Sequence, residues 1–423
     1  MRLSAADVRA RFSPDVDRAG ADAQPTPPDP GGARTGIALA AVVAAVMGAA
    51  WGAPIMAQMI GEADFPFHLT SAEQFASNTR ITMPHFLLQV LLGGLISTGW
   101  FPTVQQAGLV LFTALYAATA ALICWYIGRG TAGMTTLGAS VVIAAAVLLA
   151  GPVLPSGEPS LYLIGYFPPN AFHNPTMLLA KPLLIFVLAA AVAAITRTGR
   201  PNGHELALIA LPVVLLGAAK PNYLGCVVPV VLAMAAWNRA TKRAVSWTRV
   251  ASICVPAVLM LGASYALYRS QPLGSEGGVI VAPLRVLALY VPVDPRSIAG
   301  HVSASVAFPL AVLALWPRAA WNTTEIRFAW ATTLVAFLIS FLLAEEGPSL
   351  DHGNFLWTGQ MAVFVLFVVS AMFVNHQLSP AARSGWTAAR ALLTAGVLVL
   401  HIESGVRHVT TRVESLQWLV FWM

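Results

Sequence analysis

The sequence predicts an all-α fold: a polytopic transmembrane helical bundle with about eleven crossings and one further juxtamembrane or re-entrant helix. Three observations predict it. Hydrophobic residues make up 57% of the chain and charged residues only 10%, whereas soluble domains are roughly 45–50% apolar. Mean hydropathy is +0.71. Apolar runs of about 18 residues or more recur from end to end, each long enough for a hydrocarbon core of about 30 Å. No segment reads as a large soluble domain.

Taken in order, residues 1–35 are polar and rich in Pro, Gly, Asp and Arg, closing on "QPTPPDPGG". Such a stretch has too little apolar surface to fold, so a disordered cytoplasmic tail is expected. It is too long and too acidic for the start of a signal peptide, so the first apolar run is expected to stay as an anchor. A single transmembrane domain then occupies 36–423. Its apolar runs are 36–60, 84–100, 104–127, 132–150, 177–196, 205–219, 221–237, 250–268, 301–317, 328–343, 354–375 and 387–402.

Lysine and arginine orient these runs, because positive charge accumulates on the cytoplasmic side. The basic segments are the tail, Arg129, "TRTGR", "NRATKRAVSWTR", Arg318 with Arg327, and Arg383 with Arg390. From "TRTGR" onward every second loop is basic, which requires 205–237 to be two short crossings joined outside by "AAKPNY". Between the tail and Arg129 an even number of crossings is needed, yet three runs lie there. We expect 84–100, "PHFLLQVLLGGLISTGW", not to cross, since it opens on Pro84 and contains Gly93-Gly94. The alternative is that Arg129 or the tail lies on the other side. With eleven crossings the carboxyl terminus is outside.

Several chemistries find no support. The three cysteines, Cys124, Cys226 and Cys254, lie in or at the ends of apolar runs and form neither a disulfide framework nor a metal set. The net charge of +6 is scattered over short loops, so nucleic acid is not an expected partner. There is no P-loop or dinucleotide glycine pattern, no HExxH, and no G-x-S-x-G elbow. A sequon at Asn322 falls in a loop expected inside.

The outer loops, near 61–83, 151–176, 269–300 and 344–353, gather the chemistry. "GEADFPFH" brings Glu62, Asp64 and His68, followed by Glu73, Arg80 and His85. "NAFHNPT" brings Asn170, His173 and Asn174 among turn-forming residues. "AEEGPSLDHGNF" brings Glu345, Glu346, Asp351, His352 and Asn354 around a Gly-Pro turn. These side chains suit binding of sugar hydroxyls, or are solvated loop charges. Avoidance of Lys and Arg by outer loops explains missing bases but not this concentration of acids, histidines and asparagines. Lys181 and Lys220 each sit in apolar sequence and precede a proline. An ionisable group at such depth is costly and is a functional hypothesis by default. Each either holds a phosphate as a point charge or snorkels to the headgroups.

One acid-x-acid element, Glu62-Ala63-Asp64, follows the first apolar run on the expected outer side. In that position it resembles the modified DxD element of the GT-C membrane glycosyltransferases, polytopic enzymes that use polyprenyl-phosphate-linked sugars. The following "MPHFLLQVLL" is similar to the juxtamembrane segment after their first outer loop. The apolar part of 269–300, "VIVAPLRVLALY", fits a second such helix. The resemblance covers the layout of most of the chain through a short motif, and no WWDYG-type motif is present.

The resemblance implies an inverting glycosyltransferase at the outer face of a bacterial cytoplasmic membrane, in cell-envelope glycan or glycolipid assembly. Its partners would be a lipid-linked sugar donor, a glycan, lipid or protein acceptor, and membrane lipids. Asp64 would be the catalytic base, with Glu62 as alternate or supporting acid. Lys181, Lys220, His68, His173, Asn174, Glu345, Glu346, Asp351 and His352 would contact substrate. No cofactor is required, and a divalent metal bridging Glu62 and Asp64 is left open. Against this stands a solvated pair at a helix exit, with Asp64 capping a short helix. The second class is a transporter or flippase of lipid-linked or anionic solutes. Such proteins show internal repeats and midplane charge, neither of which stands out here.

Overall fold

A computed structural model describes residues 30–62, 64–129, 134–153, 166–170, 174–270, 278–347, 350, 353–378 and 385–411. Among them are fourteen α-helices. They are α1 Pro30–Met59, α2 Phe65–Asn78, α3 Leu87–Ser97, α4 Val104–Gly128, α5 Met134–Leu149, α6 Pro175–Thr196 and α7 Gly203–Ala219. There follow α8 Leu224–Ala240, α9 Trp247–Ser270, α10 Pro295–Leu315, α11 Pro317–Asn322, α12 Thr324–Leu342, α13 Leu356–Gln377 and α14 Gly385–Thr410. Residues 1–29, most of the expected tail, lie outside the described residues, and α1 starts five residues before the expected end of that tail.

Nine helical segments among the described residues are long and apolar enough to cross a membrane, as expected of a membrane protein, α8 counted together with the tight turn Pro221–Tyr223 that leads into it. Met134–Leu149 and Gly203–Ala219 are shorter, at 16 and 17 residues. The run 84–100 contains only the 11-residue α3. At 1.5 Å per residue that is about 16 Å, half of a hydrocarbon core. It folds back on α2, where Gly93 lies against Phe75 and Ala72. Gln89 locks this hairpin: its amide donates to the carbonyls of Ser71 and Arg80, and its oxygen accepts from Thr82 N at 3.2 Å.

Helix starts follow capping chemistry. Side-chain oxygens of Thr103, Asn174, Asn202 and Asp294 accept the first free N–H groups of α4, α6, α7 and α10. Packing then sets depth. α13 is buried all round from Leu356 to Asn375, which is why it has no polar face. α1 and α4 approach closely because Gly48 and Gly52 face Tyr116; a Cβ at Gly52 would lie 2.5 Å from the Tyr116 ring. This is the small-x-x-x-small logic of membrane helix pairs.

The helix α10 breaks at Val306 (φ −120°, ψ 20°), three residues before Pro309. Its freed groups are taken up by distant segments. Val153 N donates to the Ala304 carbonyl at 3.0 Å, and Phe308 N donates to His401 Nε2 at 3.2 Å. His401 therefore carries its proton on Nδ1, which donates to the Gly151 carbonyl at 2.5 Å. A broken helix at membrane depth stands only where its backbone is re-satisfied in this way.

The expected second juxtamembrane helix in 269–300 is not one. Val279–Val281 form a strand antiparallel to Leu343–Glu345, and Leu287–Leu289 form a single tight turn. The β-branched Val279, Ile280 and Val281 favour extended chain, and Pro283 stops a helix from running through the segment.

Candidate functional site

α6 fixes one side of the site. Its N-cap, Asn174, precedes Pro175, which suits the first helical position because it has no N–H to satisfy. The Asn174 oxygen accepts from Thr176 N, Thr176 Oγ1 and Met177 N at 3.1, 2.6 and 3.2 Å. With the oxygen committed, the amide nitrogen must point away from the helix. It donates to Asp64 Oδ2 at 2.8 Å. Capping thus orients Asn174, and Asn174 orients Asp64. Asp64 itself makes no side-chain cap on α2, so its carboxylate serves the contact with α6 rather than its own helix.

The end of α7 supplies the cation. Pro221 cannot continue the helix, so the chain turns extended at Lys220 (φ −162°, ψ 95°) and enters a short turn, Pro221–Tyr223. The side chain of Lys220 is buried, with Nζ 5.7 Å from the centre of the Trp357 ring. Burial pulls its ammonium down to about 8, against the opposing pull of Asp64 and then Glu345. Lys220 therefore lies within the field of both carboxylates.

A third element closes the ring. Asn354 donates its amide to Glu345 Oε2 at 2.7 Å, and its carbonyl accepts from Asn222 Nδ2 at 2.9 Å. This ties the turn after Lys220 to the segment before α13. Glu345 is buried at the end of the short strand, while Glu346 is exposed.

The α2–α3 hairpin brings two histidines. The rings of His68 and His85 are 5.7 Å apart, centre to centre. Burial first and the Lys220 charge second push His68 down to about 3, and His85 is held well below the usual histidine range by burial, Lys220 and His68. Both are neutral imidazoles in the free site, suited to hydrogen bonding and not to countering an anion by charge.

Of the residues expected to contact substrate or do chemistry, Asp64 is bonded to Asn174, and Asp64, His68 and Glu345 share the field of Lys220. Glu62 does not: it is exposed, and its carboxylate accepts from Gln58 Nε2 at 3.4 Å. Lys181 lies two turns along α6 from Asn174, buried, donating to Asn170 Oδ1 at 2.8 Å. Asn170 passes its own amide to the carbonyls of Val147 and Ala150. Neither lysine has its side chain out at the surface. His173, Asp351 and His352 lie outside the described residues. Sequence reasoning missed Trp357 and Asn222 and left His85 without a role. Trp357 was hidden inside an apolar run, whereas Asn222 stands beside Lys220 in "KPNY".

Among the described residues, no group of three or more His, Cys, Asp or Glu side chains could hold a metal ion. Glu62 and Asp64 are placed differently, one on solvent and one on Asn174, which gives no shared cradle for a bridging cation.

The arginine-rich segments collect elsewhere. Arg197, just past the far end of α6, bonds Glu205 at 3.1 Å, and Glu205 also takes Arg249 at 3.0 Å. The 22 residues of α6 separate this cluster from Asn174 by about 33 Å. No protein-family model matches the chain, and neither a curated protein nor a solved structure matches it.

Proposed function

We propose that this chain is a GT-C-like inverting glycosyltransferase that moves a sugar from a polyprenyl-phosphate donor to an acceptor at the outer face of a bacterial cytoplasmic membrane. One observation carries the reading. Asp64 is bonded to Asn174, and the buried Lys220 lies within the field of Asp64 and Glu345, all at the end of the bundle opposite the Arg197–Glu205–Arg249 cluster. By the positive-inside rule the arginine end is cytoplasmic and the Asp64 end is outside. In this reading the two shorter helices α5 and α7 also cross, giving eleven crossings, and the α2–α3 hairpin lies along the outer interface.

The chemistry assigns a role to each group. Asp64 takes the proton of an acceptor hydroxyl as that oxygen bonds to the anomeric carbon. The bond from that carbon to the phosphate oxygen breaks, and polyprenyl phosphate leaves with the electron pair. Lys220, cationic below pH about 8, stabilises the departing phosphate. His68 and His85 offer neutral hydrogen-bonding groups beside it. Burial of Lys220 against Trp357 strengthens its attraction for an anion relative to a solvated lysine.

Transporters of anionic solutes typically turn the polar groups of a broken helix to a pathway near the bilayer midplane. In α10 those groups are used by Val153 and His401 instead, which favours the enzyme. The test is Asp64→Asn in the purified, membrane-reconstituted chain. Sugar transfer from a polyprenyl-phosphate donor should fall by about 10²–10⁴-fold, the usual contribution of a general base. Expression and donor binding should persist. Wild-type transfer rates in that variant would sink the assignment.

A further inference from the structure

Near its start α13 carries one side chain, Gln360, that the site described above does not use. Trp357, Gln360 and Phe364 are spaced i, i+3, i+7 and share one face of the helix. Trp357 meets Lys220 Nζ at 5.7 Å and Phe364 meets Lys181 Nζ at 5.8 Å. Gln360 therefore sits between two lysine levels separated by about 10 Å along the axis. It is 3% exposed, and its Oε1 has no hydrogen-bond partner among the described residues. A buried amide oxygen left unmatched bears its full desolvation cost. Nearby buried amides are matched: Asn170 and Asn174 use both their oxygen and their nitrogen.

We propose that Gln360 is the specificity-determining floor of the site and accepts a hydrogen bond from a hydroxyl of the donor sugar. The assignment rests on the glycosyltransferase reading and names what that reading leaves open, the group that recognises the sugar. A neutral acceptor with no donor among the described residues fits a ligand rich in O–H groups and does not fit a phosphodiester, which has acceptors only. Phosphate is left to Lys220, one turn nearer the end of the bundle. The aromatic wall of Trp357 with a few convergent polar groups is the usual make-up of a small-molecule site. A site built to bond a hydroxyl rejects ligands that lack or misplace it far more strongly than an apolar pocket does.

The experiment compares the wild-type chain with Gln360→Met and Gln360→Asn, all reconstituted at full length. The probes are sugar-free polyprenyl phosphate and polyprenyl-phosphate hexoses and pentoses of differing hydroxyl configuration. Gln360→Met should leave sugar-free polyprenyl phosphate within twofold. It should weaken the preferred sugar-linked donor by about tenfold or more and level the preferences among configurations. Gln360→Asn, which keeps the amide but draws it back by one methylene, should lose part of the same discrimination. Thermal unfolding gives a separate reading: because Oε1 has no partner among the described residues, Gln360→Met should leave Tm unchanged or raise it. Unchanged discrimination with a lowered Tm would make Gln360 a structural residue and overturn the proposal. If wild-type protein binds no sugar-linked lipid better than the sugar-free one, the glycosyltransferase reading itself fails, and the role of Gln360 with it.

Discussion

The two ends of α6 handle charge in opposite ways. At one end Glu205 is shared by Arg197 and Arg249, and Arg249 also donates to the carbonyls of Arg197 and Gly199. Charge there is consumed by charge from neighbouring helices. At the other end Asp64 and Glu345 each receive a neutral asparagine amide, and the lysine in their field faces a tryptophan ring. Amides hold a carboxylate in place without cancelling it. The first arrangement builds a corner of the fold; the second keeps charge available to a ligand. Charge density alone does not separate a site from a surface, but the identity of the partners does.

The sharpest way to break this contrast is Lys220→Met. If Lys220 acts on a phosphate, affinity for polyprenyl phosphate should drop by about 10–100-fold, the range of one charge-assisted contact. Unchanged affinity would return the lysine to a packing role. A pH series checks the same point. The Lys220 ammonium is lost as pH rises through about 8, so donor affinity in the wild type should decline above that pH. In Lys220→Met the decline should be absent. His68 does not blur this profile, because at about 3 it titrates far below the window.

Which parts of this were readable beforehand follows from where the partners lie. The apolar runs gave the helices, since length and hydropathy are local properties, and the 11-residue α3 agrees with a run that parity would not let cross. Asp64, Asn174 and Lys220 were readable as types: an acid, a cap before proline, and a lysine in apolar sequence. Their meeting was not, because Asn174 and Asp64 are 110 residues apart. The break in α10 was equally hidden. Pro309 marks the helix as vulnerable, but its repair depends on His401, 93 residues beyond Phe308. Trp357 and Gln360 were invisible for another reason. They stand in an apolar run, where an aromatic and a single amide read as ordinary core.

The structural end of the comparison has its own test in Glu205→Gln. Glu205 is partly exposed, so solvent softens the loss, and Arg249 keeps its backbone carbonyl partners. A loss of about 1–2 kcal/mol of stability is expected, below the cost of breaking a fully buried pair. It should register as a lowered Tm with donor binding and transfer unchanged. A transfer defect without loss of stability would mean that the arginine end takes part in function and that the contrast is misplaced.

The smallest expected effect separates the two acids of the first loop. Glu62 and Asp64 are neighbours in sequence and identical in charge, and the acid-x-acid pattern treats them as a pair. In the fold they diverge: Glu62 belongs to the turn that closes α1, and Asp64 stands at the N-cap of α2, which begins at Phe65. Asp64, at the start of the helix, is turned toward α6 and meets Asn174. Glu62, one step before the turn, stays on the surface beside Gln58. An exposed hydrogen bond of 3.4 Å between two long side chains contributes little to stability, on the order of a few tenths of a kcal/mol. Glu62→Gln should therefore leave both Tm and transfer rate within about twofold of wild type, in contrast to Asp64→Asn. A loss of transfer comparable to that of Asp64→Asn would show that the first loop rearranges when substrate binds and that both acids reach it. Steady-state transfer assays on the two variants side by side decide between these outcomes.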